Sequence, residues 1–479
     1  MKRVVVVTLC ALLGCASTPR PVRVEVAVAS RWSVEPAPEP AAANLQATAA
    51  SWASWASWAS WASSASWSSF QSSELAELLA IAASYSLDNA SAQARIAQQE
   101  ALIRVARAPL FPTLGATVSV SGQSENGRSL GSFSGGFFDA GLVAGYEADV
   151  WGENGRRLAA AKARSSAARY DAAITQLLVA AGVADAYFEV LAIRERMTNA
   201  KTNLEATRRV LELVEAKARA GMALAREVAQ QKVLVASEGV RVEQLAQAEA
   251  DTRVTLAIAL GREPTAVAVR AESLDTVEDP SISLAGVEAP ARLLTRRPDV
   301  ARAEAQLAAQ DSDVEAARAA LLPKLRLDAS IAFQSVFFST NYDGNSIVYN
   351  GMVSLNQPIL DGGERRGQRE AALALKLEAE TEYRRVVITA VSDVERALRA
   401  IDSLEKQLVQ QRIAVDESRR AFGLIESEYK AGAEESLSVL DAQRTLIRVD
   451  DDFSQMRLAK LRAAVALVKA LGGGWSAAH

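Results

Sequence analysis

A single offset of 211 residues runs through most of this chain. The stretch VARAPLFPTLGATVSVS (105–121) aligns with AARAALLPKLRLDASIA (316–332), placing Pro112 on Pro323, and 323 − 112 = 211. KARAGMAL (217–224) aligns with EYKAGAEE (428–435), Gly221 on Gly432, again 211 apart. ALG at 259–261 returns at 470–472 with the same spacing. Chance does not hold one register across three separated anchors, so the chain reads as a duplication whose halves fold alike.

Each half repeats one order of elements. A helix expected over 73–108, and again over 298–321, runs into a proline, which cannot continue a helix and favours an extended segment. Two strands follow, about 113–148 and about 324–358. Leu325, Leu327, Ala329, Ile331 and Phe333 alternate with Arg326, Asp328, Ser330, Ala332 and Gln334. The returning strand sets Ile347, Tyr349, Val353 and Leu355 against Asn350, Ser354 and Asn356. In the first half Ala116, Val118 and Val120 alternate with Thr117, Ser119 and Ser121, and Phe138, Leu142, Ala144 and Tyr146 return. Length and alternation suit tilted membrane strands with one apolar and one polar face. A half-buried sheet in a water-soluble protein alternates in the same way.

After each hairpin the sequence demands a rod. Residues 156–220 contain no proline and one glycine, Gly182; residues 364–431 are interrupted only by Gly367 and Gly423. At ~1.5 Å per residue each rod extends ~100 Å, which only a bundle or coiled coil accommodates. Val183, Val190, Met197, Leu204, Leu211 and Ala218 step by seven, a candidate seam, and Leu446, Val449, Phe453 and Met456 show 3-4-3 spacing. The rods turn near Gly221 and Gly432 and return for ~35 residues each. Four membrane strands cannot close a barrel, and open edges in lipid leave backbone groups unpaired. Closure therefore needs further copies: eight strands from two chains, or twelve and a possible pore from three.

The formal charge of −4 gives no basic footprint for nucleic acid. A single histidine, His479, leaves too little for a histidine-based metal site or triad, so no enzyme, metal centre or cofactor is expected. Both cysteines lie in the first fifteen residues. MKR followed by VVVVTLCALLG reads as an export signal over residues 1–14. LLGC, ending at Cys15, resembles the bacterial lipobox, which implies a covalent lipid on Cys15. Ala16, where an aspartate would signal inner-membrane retention, implies the outer membrane. Residues 15–66 read as a lipidated, low-complexity tether. Trp52, Trp55, Trp58 and Trp61 recur at every third position within it, a spacing that lines up on neither helix nor strand, and no function is assigned to them.

The segments APLFPTL (108–114), YEADVWGENGRR (146–157), RRPDVARAEAQLAA (296–309), LNQPILDGGERRGQ (355–368) and YKAGAEESLSVLDAQRTL (429–446) resemble the TolC-like outer membrane factors, in particular their lipoprotein branch. The likeness runs from Trp67 to Leu471, and Trp67 and Phe70 match aromatic positions of that family's opening helix. It implies a mixed α and β fold: a homotrimer with a twelve-stranded transmembrane β-barrel continuous with a periplasmic α-helical barrel. The repeats would be 67–272 and 296–472, with a linker at 273–295 and a tail at 473–479. The implied partners are outer-membrane lipid, a periplasmic adaptor and an inner-membrane transporter of the resistance-nodulation-division type. The implied function is an exit channel for small molecules in the outer membrane.

The same resemblance assigns a gate. Asp441 matches the inner of two pore-facing aspartates, while Ser438 stands at the other, so one acidic ring is expected. A latch would pair Tyr429 with Glu227, and Arg226 with Glu434. Ala218, Gly221, Leu224, Gly432 and Ser436 are candidate adaptor contacts at the tips. Rival readings are type I protein secretion, metal efflux and, outside the channel class, an anchored periplasmic coiled-coil scaffold.

Overall fold

The computed structural model describes residues 65–127, 131–277, 296–337 and 346–475. The signal segment, Cys15, the tryptophan run, most of the linker and the end of the tail lie outside the described residues. After a short helical turn, Ala65–Ser68, come α1 (Ser73–Tyr85), α2 (Leu87–Arg107), β1 (Thr113–Gly127), β2 (Gly131–Ala148), α3 (Glu153–Arg219) and α4 (Ala225–Leu260). The later elements are α5 (Pro298–Ala319), β3 (Lys324–Phe337), β4 (Ser346–Asn356), α6 (Glu364–Ala431) and α7 (Ser436–Ala470). The chain divides into two compact units.

One unit comprises Arg95–Arg169 and Arg302–Arg385 and holds a single antiparallel sheet in the order β1-β2-β3-β4. Its register decides the chemistry of each face. Val118 pairs with Ala140, Ala140 with Phe333, and Phe333 with Ile347. Because side chains alternate with period two, this row and its neighbours gather Leu114, Ala116, Val120, Leu142, Ile331, Tyr349, Val353 and Leu355 on one face. The opposite face carries Thr117, Ser119, Asp328, Ser330, Asn350 and Ser354. Leu114, Val118, Tyr349 and Val353 are each at least 70% exposed, so no described part of the chain covers these apolar side chains.

The motifs beside the strands are turn chemistry. Asp149 accepts from the backbone N–H groups of Asn154 (3.0 Å) and Gly155 (2.7 Å), satisfying free donors at the start of α3. Asp361 accepts from the N–H of Gly363 at 3.0 Å just before α6. Trp151 Nε1 donates to the Pro323 carbonyl at 2.7 Å, tying the first strand-to-helix turn to the start of β3.

The other unit takes the remaining described residues and contains the main core. Tyr187, Phe188, Val183, Val190 and Leu191 of α3 are fully buried against Phe70, Leu75, Leu256 and Leu260. Trp67 stacks on Phe70 with centroids 6.3 Å apart, and Phe70 lies 5.2 Å from Phe188. One stretch of α3 is apolar and long enough to cross a membrane, but 72% of it is buried inside the protein, as befits a core helix. Glu74, itself buried, accepts from the N–H groups of Arg270 (2.6 Å) and Ala271 (3.1 Å) and from the Tyr187 hydroxyl (3.2 Å). Burial pushes that hydroxyl up to about 12, so it stays a donor.

Two expectations need correction. The helix over 73–108 is two helices, interrupted at Ser86, whose ψ of 128° is not helical. α1 buries Leu75, Leu78, Leu79 and Ala82, whereas α2 buries only Asn89 and Ala92, so the pieces answer to different surroundings. The α3 seam is also wider than the apolar heptad indicates. Val183 and Val190 are buried, but Met197, Leu204, Leu211 and Ala218 are only partly covered. The line that stays buried is Ala186, Ile193, Ala200, Thr207 and Val214. Its alanines and threonine carry little hydrophobic signal, yet their small size permits close helix approach.

The two halves meet the core through matching contacts. Gly261 (φ +66°) and Gly472 (φ +86°) follow α4 and α7, and a side chain on either would strike a backbone carbonyl, of Tyr85 and of Arg296 respectively. Beside the second contact, Arg297 is 7% exposed and holds Asp299 through two hydrogen bonds (3.0 and 2.7 Å). It also donates to the carbonyls of Ala390 (3.2 Å) and Ala470 (2.9 Å). One guanidinium thus joins α5, α6 and the end of α7. Replacing it with methionine removes all four of these hydrogen bonds from a buried position, at a cost of about 3 kcal/mol. Chemical denaturation of Arg297→Met is expected to read that loss, and Arg297→Lys to recover only part of it, since an ammonium lacks the planar fork.

Candidate functional site at the helical turns

α3 and α6 end in the same way. Gly221 (φ +74°) and Gly432 (φ +82°) occupy the left-handed region. Met222 N–H reaches the Lys217 carbonyl and Ala433 N–H the Glu428 carbonyl, each at 2.9 Å, closing a Schellman turn. No neighbour lies within 4 Å of a Cβ at either glycine, so conformation and not crowding demands glycine there. Ala218 and Ser436 are half-buried, while Gly221, Leu224 and Gly432 are exposed. Sequence reasoning missed two apolar side chains beside them: Met222 is 72% and Leu437 52% exposed.

Tyr429 is 3% exposed and packs with Val210, Val214 and Val439, so its ring contacts both helical hairpins. Its hydroxyl has no hydrogen-bond partner among the described residues. Burial pushes that hydroxyl up, and the nearby Glu227 charge adds to the shift, so Glu227 lies close without a bond between them. Glu434 accepts from Ser438 Oγ at 2.5 Å. That bond, together with the Glu435 backbone, holds its carboxyl below the usual range. Arg226 is exposed and forms no ion pair among the described residues. The chain by itself therefore brings Tyr429 near Glu227 but does not join Arg226 to Glu434. Asp441 is exposed, one turn beyond the half-buried Ser438.

Behind the turns lies a polar seam that the apolar pattern did not reveal. Gln231 Nε2 donates to Gln443 Oε1 (3.0 Å) and to the Thr207 carbonyl (3.2 Å), linking α3, α4 and α7. Farther along, Asp451 is held by Arg196 (2.6 Å) and Arg241 (2.6 Å). Burial pushes the Asp451 carboxyl up, but the two guanidiniums outweigh it and leave it below the usual range. Arg419 meets Asp450 at 2.6 Å, and Arg457 meets Glu195 at 2.9 Å. Among the described residues no cluster of histidine, cysteine, aspartate or glutamate could hold a metal ion. The arrangement binds helices to helices.

Comparison with known proteins now decides the class. The profile of the "Outer membrane efflux protein" family matches residues 78–262 and again 289–473. The chain belongs to the outer membrane efflux protein family. This outer membrane efflux protein is 39% identical over 486 residues to the pyoverdine export outer membrane protein OpmQ of Pseudomonas aeruginosa, covering 99% of this chain and 97% of OpmQ. It is 29% identical to the toluene efflux pump outer membrane protein TtgF of Pseudomonas putida, covering 83% and 82% of the two chains. Among solved structures, the outer-membrane channel OprN superposes with a TM-score of 0.79 at 26% identity, over 85% of this chain and 92% of OprN. A membrane protein from Pseudomonas aeruginosa superposes with a TM-score of 0.78 at 27% identity, over 84% and 91%. The protein is an outer-membrane efflux channel.

The Asp451 cluster carries a pH signature. Its carboxyl is depressed in the folded protein, so its contribution to stability is present above the ordinary carboxylate range and is lost as pH falls through the lowered pKa. Asp451→Asn leaves two half-buried guanidiniums without their charge partner and is expected to cost about 2 kcal/mol at neutral pH. In denaturation series across pH, the gap between wild type and Asp451→Asn should stay constant near neutrality and shrink in acid.

Proposed function

We propose that this channel is the exit duct of a tripartite efflux system, passing small molecules delivered by an inner-membrane pump through a periplasmic adaptor. The assembly is a homotrimer. Three four-stranded sheets close as a twelve-stranded barrel, β4 of one subunit beside β1 of the next, and the long helices form a cylinder in the periplasm. One observation carries this reading. The sheet has a predominantly apolar face left uncovered among the described residues, and two edges, β1 and β4, that pair with no other described strand. In lipid such edges cost several kcal/mol for each unpaired group, and closure with sister subunits is the way to satisfy them.

Cys15 carries lipid that anchors the tether to the outer membrane. The turns around Gly221 and Gly432 dock the adaptor, with Met222, Leu224 and Leu437 offering it apolar contact, and the pump is of the resistance-nodulation-division type. The pyoverdine and toluene exporters among the relatives support a small-molecule cargo over a secreted protein or a metal ion. Asp441 forms an acidic ring at the mouth, and Tyr429 with Glu227, and Arg226 with Glu434, latch neighbouring tips.

Electron microscopy of detergent-purified protein is expected to display three-fold particles with a central lumen, ~100 Å or more in length. A slender solid rod, or a monomer that stays soluble without detergent once the acyl anchor is removed, would refute the channel assembly. In planar bilayers Glu434→Ala combined with Tyr429→Phe should raise the resting leak; unchanged conductance removes the latch.

A further inference from the structure

The two helical hairpins of one subunit are joined at the turns by a residue that the latch does not include. Lys217 lies in the last turn of α3, and its ammonium sits 3.7 Å from the centroid of the Tyr429 ring. The same ammonium donates to the Tyr429 backbone carbonyl, which also accepts the Gly432 N–H at 3.1 Å. Tyr429 belongs to the last turn of α6. α3 and α6 each run from a strand to a turn, so their C-terminal ends, each with a partial negative charge, meet here. One cation answers both ends and the electron-rich ring face together.

The surroundings make this contact a brace. The Tyr429 ring is wedged among Val210 and Val214 of α3 and Val439 of α7 and cannot swing to follow a departing lysine. Glu434 is occupied by Ser438 of its own hairpin, and Arg226 has no ion pair among the described residues. Sliding the α6–α7 hairpin away from α3–α4 at this level would strip the Lys217 ammonium from both ring and carbonyl.

We propose that Lys217 is a positioning residue of the gate: an intrasubunit brace that holds the two hairpin ends together and sets how readily the mouth opens. This rests on the channel reading above. It predicts that opening in which the hairpins separate must break the Lys217–Tyr429 contact.

The test compares the full-length protein as wild type, Lys217→Met and Lys217→Arg in planar bilayers. Open probability is expected to rise roughly tenfold in Lys217→Met, the scale that a partly desolvated cation–π contact supports. It should return close to wild type in Lys217→Arg, which keeps a cation over the ring. A space-filling role predicts the reverse order, since methionine fills the volume and arginine crowds it. Lys217→Met gating like wild type, or Lys217→Arg leaking as much as Lys217→Met, overturns the brace. If Lys217→Met does not assemble, Tyr429→Leu removes the ring face from the other side and must raise open probability to a similar extent; failure to do so also overturns it. Wild-type protein that never conducts would count against the channel and not the brace. Spin labels at Arg219→Cys and Lys430→Cys then read the brace alone. Their distance distribution broadens when Lys217→Met is added and narrows again with Lys217→Arg, and an unchanged distribution overturns the proposal.

Discussion

In the proposed barrel the strands stand in hydrocarbon, where a backbone amide has no water to bond, and the rest of that assembly follows from how the chain meets this constraint. Each half supplies one hairpin, and the two hairpins pair through β2 and β3 into a four-stranded sheet. Each inner strand is paired on both sides, whereas β1 and β4 each have one side without a partner among the described residues. The register then gathers most of the large apolar strand residues on one side, with Val118 beside Ala140 beside Phe333 beside Ile347. A one-residue slip in any pair would turn that strand's polar face to the lipid, so the pairing is strongly specified. The proposed trimer is the way such a sheet finds neighbours without an edge.

The helical part obeys a different economy of contacts. α3 has 67 residues and α6 has 68, yet few large apolar side chains line them beyond the core around Tyr187 and Phe188. Small residues let the helices approach closely, and buried polar groups fix their register. Gln231 against Gln443 and Asp451 between Arg196 and Arg241 act as such pins, since each is satisfied in one alignment of the helices and left unpaired by a slide. Arg297 does the same where α5, α6 and α7 meet. A channel that must open benefits from joints of this kind: they define one arrangement sharply while contributing less bulk attraction than a hydrophobic seam.

At the turns the chain concentrates features that a rigid rod would avoid. Exposed Met222, Leu224 and Leu437 sit beside glycines in left-handed conformation, and Tyr429 buries a hydroxyl that has no partner among the described residues. An unpaired buried donor costs about 1–3 kcal/mol, and in the proposed latch Glu227 would be the acceptor that satisfies it. The Lys217 contact opposes that rearrangement from within the subunit.

The sequence alone determined both hairpins, both rods and the glycine turns, while the efflux family was legible only as a likeness of motifs. These rest on local signals: proline stops, period-two alternation, proline-free length and glycine where φ is positive. The break at Ser86 and the buried line from Ala186 to Val214 were decided only by tertiary packing, because alanine and threonine announce neither burial nor exposure. The same holds for Arg297, Gln231, Asp451 and Lys217, whose partners lie up to 255 residues away, as for Arg196 and Asp451. A charged residue on a helix reads as solvated until the fold brings an opposing helix end or carboxylate against it. That encounter belongs to the three-dimensional structure, and no periodicity in the chain encodes it.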